Sequence, residues 1–222
     1  MNNLEILGLH VSYTYNPRLK NSYIHILPSA KIIVKTPINS EKHIRELVQS
    51  KHTWIVKKIN HIEKYQKTNV NLEDEVLIFG ELYSIDHEVA TALREKLLKS
   101  RSGTNENIAS LYDNYYKEIA SQYIPERVEY FSRIMGLYPT NIKYRKMKRR
   151  WGSCDSKKEL TFNIYLLKLS CDLIDYVIVH ELSHIKHMNH SKRFHDLVSK
   201  YLVNAKELEK RIKEEYYKFM VQ

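Results

Sequence analysis

Two histidines and a glutamate at helical spacing carry the clearest chemistry in this chain: Val177-Ile178-Val179-His180-Glu181-Leu182-Ser183-His184, with His190 six residues further on. Four residues of helix turn the chain through about 400°, so His180 and His184 leave one face about 6 Å apart along the axis. Two imidazoles so placed suit a single zinc ion held at about 2.0–2.1 Å. Glu181, one residue round, lies beside that ion, where it could take a proton from a bound water. With 11 His among 222 residues, the two-His-one-Glu pattern is expected about 0.05 times by chance, and roughly 0.002 times once His190 is required too. A pair of structural histidines is the bland alternative, but packing alone has no need of this spacing.

A catalytic zinc needs a third protein ligand and an open position. His190 leads, yet on an unbroken helix it would point about 240° away from His184. The helix must therefore stop between them. Asn189 is the residue best able to take a left-handed turn there, and Ser191 can cap a following helix whose apolar stripe is Phe194, Leu197, Val198, Tyr201 and Leu202. Three rivals stand beside His190. His187 shares the face of His180 and His184 but lies about 10 Å from His180 along the axis. Glu207 could serve as a carboxylate ligand, and His195 follows Phe194 on the next helix.

Upstream, six of the eight residues 143–150 are basic, followed by Trp151-Gly152-Ser153-Cys154. Arg145, Arg149, Arg150 and Trp151 are candidate substrate-binding residues, because a basic strand beside a metal could hold an acidic or phosphate-bearing substrate. A solvated edge strand using lysines to block unwanted pairing reads equally well.

These groups need elements to position them. The metal helix starts near Asp172, a candidate N-cap, and Leu173, Ile174, Val177, Ile178, Leu182 and Ile185 make it apolar on more than one side, as expected of a buried central helix. Leu160, Phe162 and Ile164 alternate after a polar turn at residues 155–158, which predicts a hairpin. A long helical pattern from Ile108 to Met135 precedes it. Pro125 is expected to kink or split that helix, Gly136 to end it, and Tyr112, Tyr115, Tyr116 and Tyr123 to form amphipathic cover. Residues 99–105 read as a linker.

The first 90 residues carry no chemical constellation. Alternation through residues 9–36, with turns at residues 16–17 and 28–29, predicts a three-stranded antiparallel sheet. Ser40 should cap a helical stretch running to about residue 65, with Trp54 and Ile55 docking it on the sheet and His43, His52 and His61 on its surface. Two strands around Gly80 follow. The expected organisation is residues 1–100, antiparallel strands plus helices, and residues 101–222, the metal-binding domain.

Composition bounds the rest. Hydrophobic residues make up 43% and charged residues 28%, ordinary for a folded domain. No secretory signal or membrane span is visible, and two cysteines without close spacing suggest neither a disulfide framework nor a Cys-ligated zinc, so a cytoplasmic protein is expected. A net charge of +10 favours an acidic partner, although scattered lysines explain it as well.

Taken together, Arg150-Trp151-Gly152-Ser153-Cys154, Asn163, residues 174–184, Asn189-His190-Ser191 and Phe194 resemble the YgjP-like metallopeptidases, relatives of the SprT and WLM zincins. The resemblance is strong over about residues 140–205. It implies an α+β fold: a zincin-like minimal metallopeptidase domain with a small antiparallel sheet and an active-site helix. It implies His180, His184 and His190 as ligands of one zinc per chain, Glu181 as general base, and residues 151–154 packed near the metal helix. One departure is His195, where the family usually has Trp after Phe194. SprT-like relatives cleave DNA-associated proteins, and some YgjP-like proteins have been linked to nucleotide pyrophosphate hydrolysis.

Three functions follow. The first is a zinc-dependent hydrolase acting on protein or peptide substrates. The second is a metal-dependent nucleoside triphosphate pyrophosphohydrolase gripping phosphates with residues 143–150. The third is a non-catalytic nucleic-acid-binding protein with structural zinc, which would need four protein ligands where three are convincing. Tyr165, Tyr176, Tyr201 and the arginines near 145–150 are candidates to stabilise an oxyanion.

Overall fold

In the computed structural model, which describes residues 2–27, 30–64, 74–100 and 105–219, the chain forms two units: Met1–Lys67 with Tyr217–Gln222, and Thr68–Tyr216. The turn expected at residues 28–29, linker residues 101–104 and the His61 side chain lie outside the described residues.

In the N-terminal unit the three strands expected within residues 9–36 form, and a further strand precedes them: β1 (Asn2–Ile6), β2 (Leu9–Tyr15), β3 (Tyr23–Ile26) and β4 (Ile32–Thr36), in the order β1-β2-β4-β3. The sheet is mixed, correcting the antiparallel expectation, because β2 runs parallel to β4 with Val11 opposite Ile32 and Tyr13 opposite Val34. Apolar alternation reports which face a residue takes and is silent on strand direction. The segment between β2 and β4 is long enough for a crossover, and β3 occupies the far edge within it. Helices α1 (Glu41–Ser50) and α2 (His52–Lys64) follow; Ser40 caps α1 by accepting from the His43 N–H at 3.4 Å. Ile44, Val48 and Ile55 complete a core with Ile6, Val11, Ile32 and Val34. Trp54 does not dock the helix. It is 46% exposed, with the Lys58 ammonium 5.7 Å over its ring, because Ile55 takes the inward position.

The second unit begins with a hairpin, β5 (Glu75–Ile78) and β6 (Glu81–Ser84), turning through Phe79 and Gly80 at positive φ. Then come α3 (Thr91–Lys99) and α4 (Asn105–Met135), a continuous helix of 31 residues that Pro125 does not split. Buried residues on both sides of the proline, Tyr112, Tyr116, Ala120, Ile124, Val128, Phe131 and Met135, hold the two halves to one core. Tyr112, Tyr115 and Tyr116 are core anchors and not surface cover, while Tyr123 is half-buried. Tyr112, Tyr115 and Tyr116 donate to the carbonyls of Glu75, Val89 and Leu77. Those bonds tie the carbonyls of residues 75, 77 and 89 to α4 within the second unit. Gly136, φ +66, ends α4 as expected.

A second mixed sheet, β7 (Asn141–Arg145), β8 (Gly152–Cys154) and β9 (Glu159–Asn163), has the order β7-β9-β8. β8 and β9 form the expected hairpin around residues 155–158, whereas β7 runs parallel to β9, so the small sheet is not purely antiparallel. The basic segment is not one strand: β7 stops at Arg145 and residues 146–151 leave the ladder. Asn163 causes this. Its buried amide donates to the carbonyls of Met147 (2.7 Å) and Arg150 (3.0 Å), drawing the chain into a loop.

The centre of this unit is α5 (Cys171–His184), which buries Leu173, Ile174, Val177, Ile178, Val179 and Leu182. Each such aliphatic side chain contributes about 1.5–3 kcal/mol on burial, so the helix is fixed by its core and not by its propensity. Its N-cap is Ser170; Asp172 sits in the first turn and pairs with Arg211. Arg127 holds Asp175 through two hydrogen bonds of 2.6 and 2.9 Å, tying α4 to α5. α6 (Lys192–Tyr201) and α7 (Ala205–Phe219) complete the chain. Among the described residues no helix is long and apolar enough to cross a membrane.

Candidate metal centre

At its C-terminus α5 tightens from i→i+4 to i→i+3 bonding: Ile185 N–H bonds the Leu182 carbonyl and Lys186 N–H the Ser183 carbonyl, each at 3.1 Å. Asn189 makes no left-handed turn; among described non-glycine residues positive φ occurs only at Leu7, Ala30, Phe79 and Lys158. The chain turns by ending the helix early, and Ser191 is the α6 N-cap by position, without a side-chain capping bond.

The turn returns His190 to the histidines of α5. One nitrogen from each of His180, His184 and His190 lies within 4.8 Å of the others, and the Nε2 atoms of His180 and His190 are 3.0 Å apart. Two ligands on a tetrahedral zinc would stand about 3.3 Å apart. Phe194, fully buried on α6, lies beneath all three rings with centroids 4.6 to 4.8 Å away. The sequence marks Phe194 only as part of an apolar stripe. Its place under the imidazoles is a role that periodicity cannot show.

The protonation states suit a cation. Burial pushes His180 down to about 3, and the neighbouring histidines push the same way, so the ring is neutral near pH 7. Burial also lowers His184, against the opposing effect of its bond to the His187 carbonyl. That bond, Nδ1 to oxygen at 3.0 Å, makes Nδ1 the donor and leaves the Nε2 lone pair free for a metal. His187 thus contributes its backbone, not its ring. The Nδ1 of His180 is buried with no partner among the described residues. His180, His184 and His190 converge as three imidazole nitrogens, a donor set that zinc fits.

Glu181 is 5% exposed, and burial raises its carboxyl to about 8 against the lowering effect of Arg150. It packs against β8. A Cβ at Gly152 would stand 2.7 Å from both Cγ and Oε1 of Glu181, so this contact requires glycine. Both face a cleft of about 800 Å³ lined by residues 149–154, Tyr176, the three histidines, His195 and, from α7, Glu209, Ile212 and Lys213. Cys154 is no ready nucleophile there, since burial pushes its thiol up to about 11.

Of the sequence candidates, Arg149, Arg150 and Trp151 line this cleft, and Arg145, exposed at the end of β7, does not. Glu207 is exposed and not among its lining residues; Glu209, two residues on, is the α7 carboxylate that faces it. Tyr176 lines it, whereas Tyr165 is bonded to Asp113 and Tyr201 is not among the lining residues. Gly152 and Asn163 stand out in sequence only as members of a motif. The contacts that explain them are long-range.

A buried carboxyl beside three convergent imidazoles, opening on a cleft, has the make-up of a metal-dependent hydrolase centre. The family model described as YgjP-like, metallopeptidase domain, matches residues 20–215, and the chain belongs to that family. Among solved structures it is similar to the metallopeptidase zymogen of Pyrococcus abyssi abylysin (26% identity, TM-score 0.39, 41% of this chain and 93% of that one). It is likewise similar to the zymogen of Methanocaldococcus jannaschii jannalysin (28% identity, TM-score 0.38, 41% and 95%). No curated protein matches the sequence.

Proposed function

We propose that this chain is a zinc-dependent peptidase in which His180, His184 and His190 hold the metal and Glu181 is the general base. The observation that carries this is the convergence of three imidazole nitrogens beside a buried carboxyl in an open cleft. Zinc, when bound, supplies Lewis acidity for a water and a carbonyl. Glu181 receives the proton of the attacking water and returns it to the leaving amine. The charge of a cation held by the histidines would shift the buried Glu181 carboxyl toward its ionised form, the state a base needs. Gly152 lets the carboxylate stand against the strand, and β8, an edge strand facing the cleft, offers unpaired backbone groups to an extended peptide. Tyr176 and the arginines of residues 149–150 are the cleft groups placed to meet an oxyanion or a substrate carboxylate.

The nucleotide reading relied on one continuous basic strand, and the segment divides after Arg145. A closed structural zinc would need a fourth protein ligand, and among the described residues the cluster comprises three histidines. The test pairs zinc-loaded wild type with Glu181→Gln on denatured proteins, peptides and nucleoside triphosphates. The variant should keep its zinc and lose turnover of peptides by about 10²–10⁴-fold. Undiminished peptide hydrolysis by the variant would sink the role of Glu181, and triphosphate cleavage in place of peptide cleavage would sink the peptidase reading.

A further inference from the structure

The basic segment has two ends with different fates. Lys143 is neutralised by Glu159 at 2.5 Å, and Lys146 by Asp113 at 2.7 Å. Arg149 and Arg150 are exposed, line the cleft, and make no ion pair among the described residues. The other cation on the cleft wall, Lys213, is 2.6 Å from Glu209, so those two charges cancel. Glu181 is buried. Apart from the metal site, the unpaired side-chain charge that the cleft wall presents to an entering chain is therefore that of two guanidiniums.

Their loop is built, not loose. Asn163, fully buried, donates to the carbonyls of Met147 and Arg150, and its own N–H bonds the Trp151 carbonyl at 2.8 Å. Lys146 and Tyr165 both bond Asp113, anchoring the start of the loop to α4. Holding the backbone on both sides of the arginines lowers the entropy lost when they grip a ligand. Guanidinium forks match carboxylates in a two-bonded geometry. Gly152, against Glu181, is two residues from Arg150, and two residues span at most about 7 Å of chain. A side chain held by these arginines thus belongs to a residue close to the bond under attack.

We propose that Arg149 and Arg150 form an acid-selecting subsite, so that the preferred substrates are peptides with Asp or Glu near the scissile bond. This rests on the peptidase reading and adds the substrate class. The zinc-loaded Glu181→Gln protein isolates binding from turnover and removes the coupling between Arg150 and the base. Labelled peptides differing only in one central residue, Asp, Asn or Lys, are compared by fluorescence anisotropy at low and high salt. The Asp peptide should bind about tenfold more tightly than the Asn peptide at low salt. Arg149→Glu with Arg150→Glu, checked for zinc content and circular dichroism, should reverse the order in favour of Lys. Equal affinities for the three peptides, or an order untouched by charge reversal, would overturn the subsite. So would displacement of the Asp peptide by single-stranded DNA at concentrations below those of the peptide itself, which would assign the arginines to nucleic acid. Wild-type enzyme that cleaves no peptide defeats the peptidase reading independently, whereas cleavage without acid preference defeats only the subsite.

Discussion

The N-terminal sheet and the metal cleft treat polar side chains in opposite ways. Beneath the first sheet, Thr36 is fully buried and satisfied, its hydroxyl bonded to Ser22 and to the Ile38 N–H. His43, half-buried on α1, joins the same set through Ser22 at 3.1 Å. In the cleft, the Nε2 atoms of His180 and His190 have only each other at 3.0 Å among the described residues, and Glu181 is held in a dry position that disfavours its ionised form. Leaving such groups unmet costs about 1–3 kcal/mol each, and a fold tolerates that where the groups have a ligand or a reaction to serve. A histidine becomes a candidate ligand by being left unfinished, not by being a histidine.

The largest effect that would sharpen this contrast comes from Gly152→Ala. The new methyl displaces the Glu181 carboxylate, and kcat on a peptide substrate is expected to fall by about 10²-fold with zinc stoichiometry unchanged. Full activity would show that the close contact is only packing. Next is Asn163→Ala, which strands two carbonyls and frees the arginine loop; a loss of about 2–4 kcal/mol in urea unfolding is expected, together with a weaker preference for acidic peptides. A third test concerns Lys168, half-buried with its ammonium 4.1 Å over the ring of Tyr165 and pushed down to about 8 by desolvation. Between about pH 8 and 10.5 the unfolded chain holds this proton and the folded one does not. The Lys168 penalty is therefore full below pH 8 and is relieved as pH rises. Unfolding midpoints of wild type should gain on those of Lys168→Met across that window, and parallel curves would break the assignment. The smallest effect belongs to His43→Ala, expected to cost about 0.5–1 kcal/mol and to leave zinc content untouched. Loss of zinc there would erase the distinction between the two regions.

What sequence could reveal follows the range of each interaction. The meeting of His180, His184 and His190 was legible because helical spacing and a helix stop are local. The stop itself was misassigned in detail, since i→i+3 tightening at Ile185 did what a left-handed Asn189 was expected to do. Strand direction was not legible: the alternation of Val11 and Tyr13 suits a parallel partner as well as an antiparallel one. Nor were the tyrosines of α4 legible as anchors, because their bonds reach carbonyls of β5 and of the turn before α3. The loop at residues 146–151 depends on Asn163, a partner that no pattern of basic residues encodes.

β8 has only three residues. An open sheet edge is normally a hazard, because any extended chain can add to it and a second copy can continue the stack. Three residues offer too few hydrogen bonds for that, so an extended segment is retained only when its side chains also find holds in the surrounding walls. Brevity here acts as a solubility device: an edge of three residues is too short to seed a fibril.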